Sequence, residues 1–202
     1  MKDVYADLHI HIGRTESGNI VKITGSKSLT LRNILQFASS RKGLDMIGII
    51  DCHSPEVLHE ITELIQQGKL IELEGGGLRF RQTTLLLGSE IEVYDDHCQG
   101  PIHVLTYFPT VEKMRAFSDW MSHHVKNINL STQRIYIEGK ALQMKVREFD
   151  GLFIPAHVFT PFKSLYGVGV TKSLEEVFDP NYIDAIELGL SSDTMMVSKI
   201  QE

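Results

Sequence analysis

Five histidines and several carboxylates in this chain stand where apolar runs end, and their spacing suggests metal chemistry. In "VYADLHIHIGR" (4–14), Asp7, His9 and His11 are two apart in a strand-like run, so their side chains share one face. Polar groups on the face of a buried strand need partners, because burial without them is costly. A metal ion would satisfy two imidazoles at once. The run "GIIDCH" repeats the spacing with Asp51 and His53, and "LLLGSE" carries Glu90, with Glu92 two further on. "GPIHVL" sets His103 in an apolar run, "LFIPAH" ends in His157, and "AIELGLSSD" adds Glu187 and Asp193. A single core histidine is more often a hydrogen-bonded packing residue than a ligand. Five on four strand-like runs reverse those odds. Mixed imidazole and carboxylate donors suit zinc, manganese or iron(II) better than calcium or magnesium. Two or three such ions run phosphoester hydrolysis by activating water and neutralising phosphoryl charge.

The other histidines read as ordinary. His59, His123 and His124 fall in helical segments, and His97 sits in the loop "DDHCQG". Strand alternation turns Cys52 away from Asp51 and His53, which makes it a buried thiol rather than a ligand. "EGGGL" follows no buried strand and opens no helix, so it reads as a hairpin tip rather than a phosphate loop.

The elements that must position these residues alternate between strand and helix. Helical spacing marks 30–40, 55–67, 110–124 and a stretch near 131–147, with short helices at 173–178 and at the end. Apolar or alternating runs mark strands at 4–12, 45–50, 83–93, 101–108, 151–159 and 182–190, and 69–80 reads as a hairpin. Repeated β-then-α units without a composition break predict one α/β domain over 1–202, barrel-like because of the number of units. In such folds ligands bind at the carboxyl ends of the strands.

Composition is that of a globular protein: 202 residues, 42% hydrophobic and 23% charged. No apolar run approaches the roughly 20 residues that span a bilayer, and no basic-then-apolar leader precedes the first strand. Two cysteines form no disulfide framework, as expected in a reducing cytoplasm. The net charge of −6 argues mildly against nucleic acid, yet Lys113–Arg147 holds seven basic residues against Asp119 and Glu138. That stretch reads as a solvated helical surface, with a phosphate-contacting surface as the sharper alternative.

In order along the chain, "DLHIH", "GIIDCH", "GSE", "IHVL" and "PAH" resemble the successive motifs of the PHP (polymerase and histidinol phosphatase) superfamily. Together with "DCHSPEV", "GSEIEVYD", "PAHVFTPFKSLYG" and "ELGLSSD", they are most similar to its bacterial endonuclease Q branch. The resemblance implies a distorted seven-stranded (β/α) barrel with a two- or three-metal phosphoesterase site. It implies a metal-dependent endonuclease that cuts DNA 5′ to deaminated bases (uracil, hypoxanthine) or abasic sites, in DNA repair. A small-molecule phosphomonoesterase of the histidinol-phosphatase kind is the alternative. Carried over by motif, His9 and His11 would hold the first metal, Glu90 would bridge two, His103 and His157 would serve the second, and His53 a third. Cys52 separates Asp51 from His53, where many relatives write Asp-His together, so either one can be the ligand.

The loop "FTPFKSLYG" offers Phe159, Phe162 and Tyr166 for stacking and Lys163 for a phosphate, as a DNA reader or as a cover over the barrel mouth. Damaged DNA is the implied partner, with replication-clamp or repair partners for the full-length protein, a nucleoid-associated cytoplasmic setting and no membrane. The superfamily's final Asp-x-His motif does not occur before Glu202. The barrel is therefore expected to be incomplete at its C-terminus and its metal affinity reduced. The downstream zinc-finger region of full-length relatives is not in the chain either.

Overall fold

The structure, a computed structural model, describes residues 3–190 and 192–199. The chain is shared between two compact units. The first takes the stretch ending at Glu90 and then Tyr107–Gln133; the second takes Ile91–Thr106 and the chain from Arg134 onward.

In the first unit, β1 (Ala6–Ile10) and β2 (Met46–Ile49) pair in parallel, and β2 pairs in parallel with β5 (Thr83–Val93). The antiparallel hairpin β3 (Ile71–Glu72) and β4 (Leu78–Phe80) adds to β5, giving the order β1-β2-β5-β4-β3. α1 (Leu31–Phe37) and α2 (Pro55–Gln66) follow the first two parallel strands, and Pro55 takes the first helical position, where its missing N–H costs nothing. α2 buries Val57, Leu58, Ile61 and Leu64 on one stripe and packs on α3 (Val111–Ser122), which turns Met114, Phe117 and Met121 inward. Gly88 shows why one position must be bare, since a Cβ there would meet the Tyr107 ring at 2.7 Å.

Two expectations change here. The strands make an open path, because β1 pairs only with β2 and β3 only with β4 among the described residues, so the barrel is not closed by them. As an edge strand β1 lacks one neighbour, and the run expected to be buried instead leaves Tyr5 66% and Leu8 40% exposed.

In the second unit, β6 (Ile102–Phe108), which ends in the first unit, pairs with β8 (Leu152–Pro155). α4 (Gly139–Glu148) covers β8 with Leu142 and Val146. The expected helix near 131–147 begins only at Gly139, since β7 (Gln133–Ile135) occupies the first part. The expected strand 182–190 is extended but forms no ladder. Its Asp184 and Glu187 amides donate to the Phe153 and Pro155 carbonyls of β8, yet the Asp184 and Glu187 carboxylates take the amides of Phe153 (2.8 Å) and His157 (2.9 Å). Side-chain acceptors there replace the carbonyls a ladder would need. The 173–178 helix reduces to one 3₁₀ turn, Leu174–Glu176, and the final stub is α5 (Thr194–Val197).

Candidate metal centre

At the carboxyl ends of the parallel strands of the first unit, three predicted residues converge. His9, His11 and Glu90 each offer one donor atom, and the three atoms lie within 4.8 Å of one another. His9 Nε2 stands 3.4 Å from Glu90 Oε1, and His11 Nε2 stands 3.3 Å from Glu90 Oε2. Glu90 is 2% exposed at its side chain, so this carboxylate faces its partners rather than solvent.

Asp51 orients His11. It is fully buried and accepts from the Ile12 amide at 2.7 Å, while its Oδ2 lies 3.1 Å from His11 Nδ1. An ionised carboxylate on Nδ1 fixes that nitrogen as the N–H, which leaves the Nε2 lone pair to accept from the Lys22 ammonium at 3.1 Å, beside Glu90. Burial pulls the His11 pKa down, but Asp51 and Glu90 outweigh it and the net shift is upward.

His53 takes a different place. Its side chain is fully buried, with Nε2 3.2 Å from the Leu130 carbonyl and Nδ1 2.9 Å from Ser89 Oγ. Both ring nitrogens are therefore spent on hydrogen bonds, and burial holds the imidazole neutral by lowering its pKa. To ligate a metal, His53 must give one bond up.

Two residues of this cluster carried no sequence signal. Lys22, on the loop after β1, reaches His11 Nε2 (3.1 Å), Thr132 Oγ1 (2.8 Å) and Glu90 Oε2 (3.6 Å). Thr132, a β-branched residue held at φ +53°, donates its hydroxyl to Glu90. Strained backbone of this kind persists where the surroundings over-determine it. Neither residue repeats at a strand or helix period, so only a view of the folded loops finds them.

The second unit carries the other predicted residues. His103, on β6, and His157, just past β8, meet edge to face with ring centroids 5.4 Å apart. Glu92 is the hub: its Oε2 lies 3.7 Å from His103 Nε2 and 3.1 Å from Lys163 Nζ, and its Oε1 takes the Arg134 fork at 2.7 Å. His103, and then the two cations, hold the Glu92 carboxyl at about 2 against the opposing effect of burial. In the loop read as a DNA reader, Phe159 and Tyr166 stack on one another at 5.5 Å, while Phe162 is 78% exposed. His157 and Lys163 both have positive φ, 32° and 54°. The basic run is dispersed by the fold. In the first unit Arg115 donates to Thr62, and in the second Arg134, Lys145 and Arg147 pair with Glu92, Glu148 and Asp184.

An α/β frame with imidazoles and a carboxylate gathered at parallel strand ends is an arrangement that can hold a metal ion. Comparison with known proteins places the chain more narrowly. Crystal structures of the lesion-specific endonuclease Q of Pyrococcus furiosus, and of endonuclease Q with a 27-mer duplex bearing an abasic lesion at the active site, match 96% of the chain. Their TM-scores are 0.76 and 0.75 and their identities 28% and 29%. A candidate metal-dependent phosphoesterase of Bifidobacterium adolescentis shares the fold alone, at TM-score 0.51 and 13% identity over 92% of the chain. The structural neighbours thus include endonuclease Q, in agreement with the motif resemblance. In sequence, the uncharacterised protein YqxK of Bacillus subtilis is 62% identical over all 202 residues, and the uncharacterised protein MJ0043 of Methanocaldococcus jannaschii 30% identical over 156. The chain spans 52% and 16% of those relatives and 44% of each endonuclease Q chain. No family model matches it. None of the helices among the described residues is long and apolar enough to cross a membrane.

Proposed function

We propose that this chain is the metal-dependent catalytic part of a DNA-repair endonuclease, hydrolysing the phosphodiester 5′ to uracil, hypoxanthine or an abasic site. The observation that carries the reading is the convergence of His9, His11 and Glu90 on a backbone that follows endonuclease Q. Two imidazoles and a carboxylate fit zinc, manganese or iron(II), and His103 and His157 are assigned to the same chemistry by motif. Bound ions would activate water and neutralise charge on the phosphoryl group.

The chain's own residues do the rest. Asp51 keeps His11 in the tautomer whose Nε2 is a donor, and Thr132 and Lys22 hold the Glu90 carboxylate. The Lys22 ammonium also supplies a fixed positive charge beside the cluster, where a phosphate anion would be received. His53 supports Ser89, the neighbour of Glu90, from below. In the second unit, Lys163 is the phosphate contact and Phe162 the exposed stacking face, with Phe159 and Tyr166 bracing the loop. A lesion base leaves the stack at a cost of a few kcal/mol, which such a stacking face offsets. Damaged DNA is the partner at this site, with clamp or repair proteins as partners of the longer protein at the nucleoid.

The test is an incision assay on duplexes carrying deoxyuridine, deoxyinosine or an abasic site, with manganese or zinc, beside a phosphomonoester. Both this chain and the Bacillus subtilis relative are assayed. Cutting 5′ to the lesion by either, lost in Glu90→Gln, supports the reading. Hydrolysis of the phosphomonoester alone, or no hydrolysis by both proteins, overturns it.

A further inference from the structure

Away from the metal cluster, the first unit holds a pocket of about 450 Å³ between α1, the end of α2 and the β3–β4 hairpin. Its lining includes Arg32, Lys69, Arg79 and Arg81 over the apolar Leu35 and Phe80, and no carboxylate lines it. Among the described residues none of these four cations is ion-paired, although the chain as a whole is acidic. The side-chain hydrogen bonds of three of them go to neutral groups. Arg79 donates to the Gln82 carbonyl (3.1 Å), Lys69 to Gln67 Oε1 (2.8 Å) and Arg81 to Ser40 Oγ (2.8 Å).

The walls are also unusual in their backbone. Arg81 sits at φ +54° with its guanidinium 5.3 Å above the Phe80 ring. Beyond α1 the helix widens into a π-turn over Ala38–Lys42, an irregularity often found at functional sites. That turn adds Arg41 to an adjoining depression that shares Gln36 and Arg81 with the pocket. Glu90 lies seven residues along β5 from Thr83, roughly 24 Å at strand rise, so the pocket flanks the opposite end of that strand from the metal cluster.

Four cations without a direct ion pair around one concavity repel each other and are stabilised by an anion of several charges. The concave form and the volume are those of a small-molecule site rather than of a surface that tracks a nucleic-acid backbone. The apolar floor gives the uncharged part of such a ligand a place to rest.

We propose that this pocket binds a phosphorylated small molecule of the nucleotide class, its phosphates held by Arg32, Lys69, Arg79 and Arg81. The inference stands apart from the endonuclease reading, because neither the metal residues nor DNA enter it.

The test is isothermal titration at 0.15 M salt with EDTA, using ATP, tripolyphosphate and adenosine as probes. ATP binds, tripolyphosphate binds more weakly, and adenosine does not bind. The Arg79→Ala/Arg81→Ala variant, shown to be folded by circular dichroism, binds ATP at least about tenfold more weakly, as expected when charge-assisted hydrogen bonds are lost. The variant Arg32→Ala/Lys69→Ala gives an independent second reading of the same loss. Glu90→Gln keeps full ATP affinity, and hydrogen exchange slows at 79–82 when ATP is added. Absence of ATP binding overturns the proposal, as does ATP binding lost in Glu90→Gln but kept in the arginine variant. A loss of duplex-DNA affinity in the arginine variant without any ATP binding also overturns it, and assigns the patch to nucleic acid.

Discussion

The two units hold their predicted histidines in different ways. In the first, His9, His11 and Glu90 sit at strand ends, where the buried Asp51 holds His11, and the Thr132 hydroxyl and the Lys22 ammonium reach in from loops to hold Glu90. In the second, one carboxylate, Glu92, gathers a histidine and two cations that reach in from loops. The first arrangement fixes donor atoms before any ligand arrives, which is what a metal site needs. The second fixes charge balance, and a phosphate could take the place of the Glu92 carboxylate on its cations. On the proposed reading, the carboxylates of the two units, Glu90 and Glu92, have different tasks, metal holding and the anchoring of substrate-binding cations, and their substitutions should fail in different ways.

The largest effect is expected at the donors themselves. Glu90→Gln should lower both bound metal, read by elemental analysis after dialysis, and incision, each by more than about 100-fold, since indirect partners alone account for 10–100-fold. Metal retained at the parent level would break the comparison at its root. Asp51→Asn comes next. It leaves shape intact but frees the His11 tautomer, so metal affinity should fall about 10–100-fold while thermal unfolding changes little. An unchanged metal isotherm would show that Asp51 only packs.

Glu92→Gln should behave in the opposite sense. Metal content stays near that of the parent, while KM for lesion DNA changes more than kcat, because Lys163 and Arg134 lose their anchor. Its pH signature follows from the depressed carboxyl. The stability Glu92 contributes is fully present above the ordinary carboxylate value near 4.5 and is lost as the pH falls towards about 2. In EDTA, urea unfolding should therefore separate parent from variant at pH 6 and bring them together near pH 2. An equal gap at both pH values would remove the hub role.

How much of this was legible in the sequence depends on period. His9 and Glu90 lie on strands and His11 one residue past β1, so strand alternation in the sequence could group them before the fold was seen. Lys22 and Thr132 come from loops that close on the cluster through backbone bonds such as Lys22 N to the Ile12 carbonyl, and loops have no period to read. The missing strand at 182–190 has a similar cause: its β pattern is real, but Asp184 and Glu187 spend their side chains on the amides of the neighbouring chain. Charge was the least legible. Three cations of the visible basic run at 113–147, Arg134, Lys145 and Arg147, are ion-paired by the fold, while the pocket's cations at 32, 69 and 79/81 come from three separate segments and made no run at all.

The smallest expected effect compares the rigidity of the two units through their cysteines. Burial pushes both thiols up to about 12, Cys52 in the strand-end core of the first unit and Cys98 in a turn of the second. A thiol raised from 9 to about 12 has about a thousandfold less thiolate at pH 8, so alkylation of the folded protein should be slow at both. Its rate should climb with pH without levelling near 9. Cys52 is 0% exposed and donates to the Ile49 carbonyl, so it reacts only when the parallel strands open. Cys98 is 9% exposed beside the Asp95 turn and needs only that turn to loosen. Mass spectrometry after timed iodoacetamide exposure should find Cys98 modified first and Cys52 only in step with global unfolding. If the order reverses, the first unit is not the preorganised one, and the separation of metal holding from substrate holding loses its structural basis.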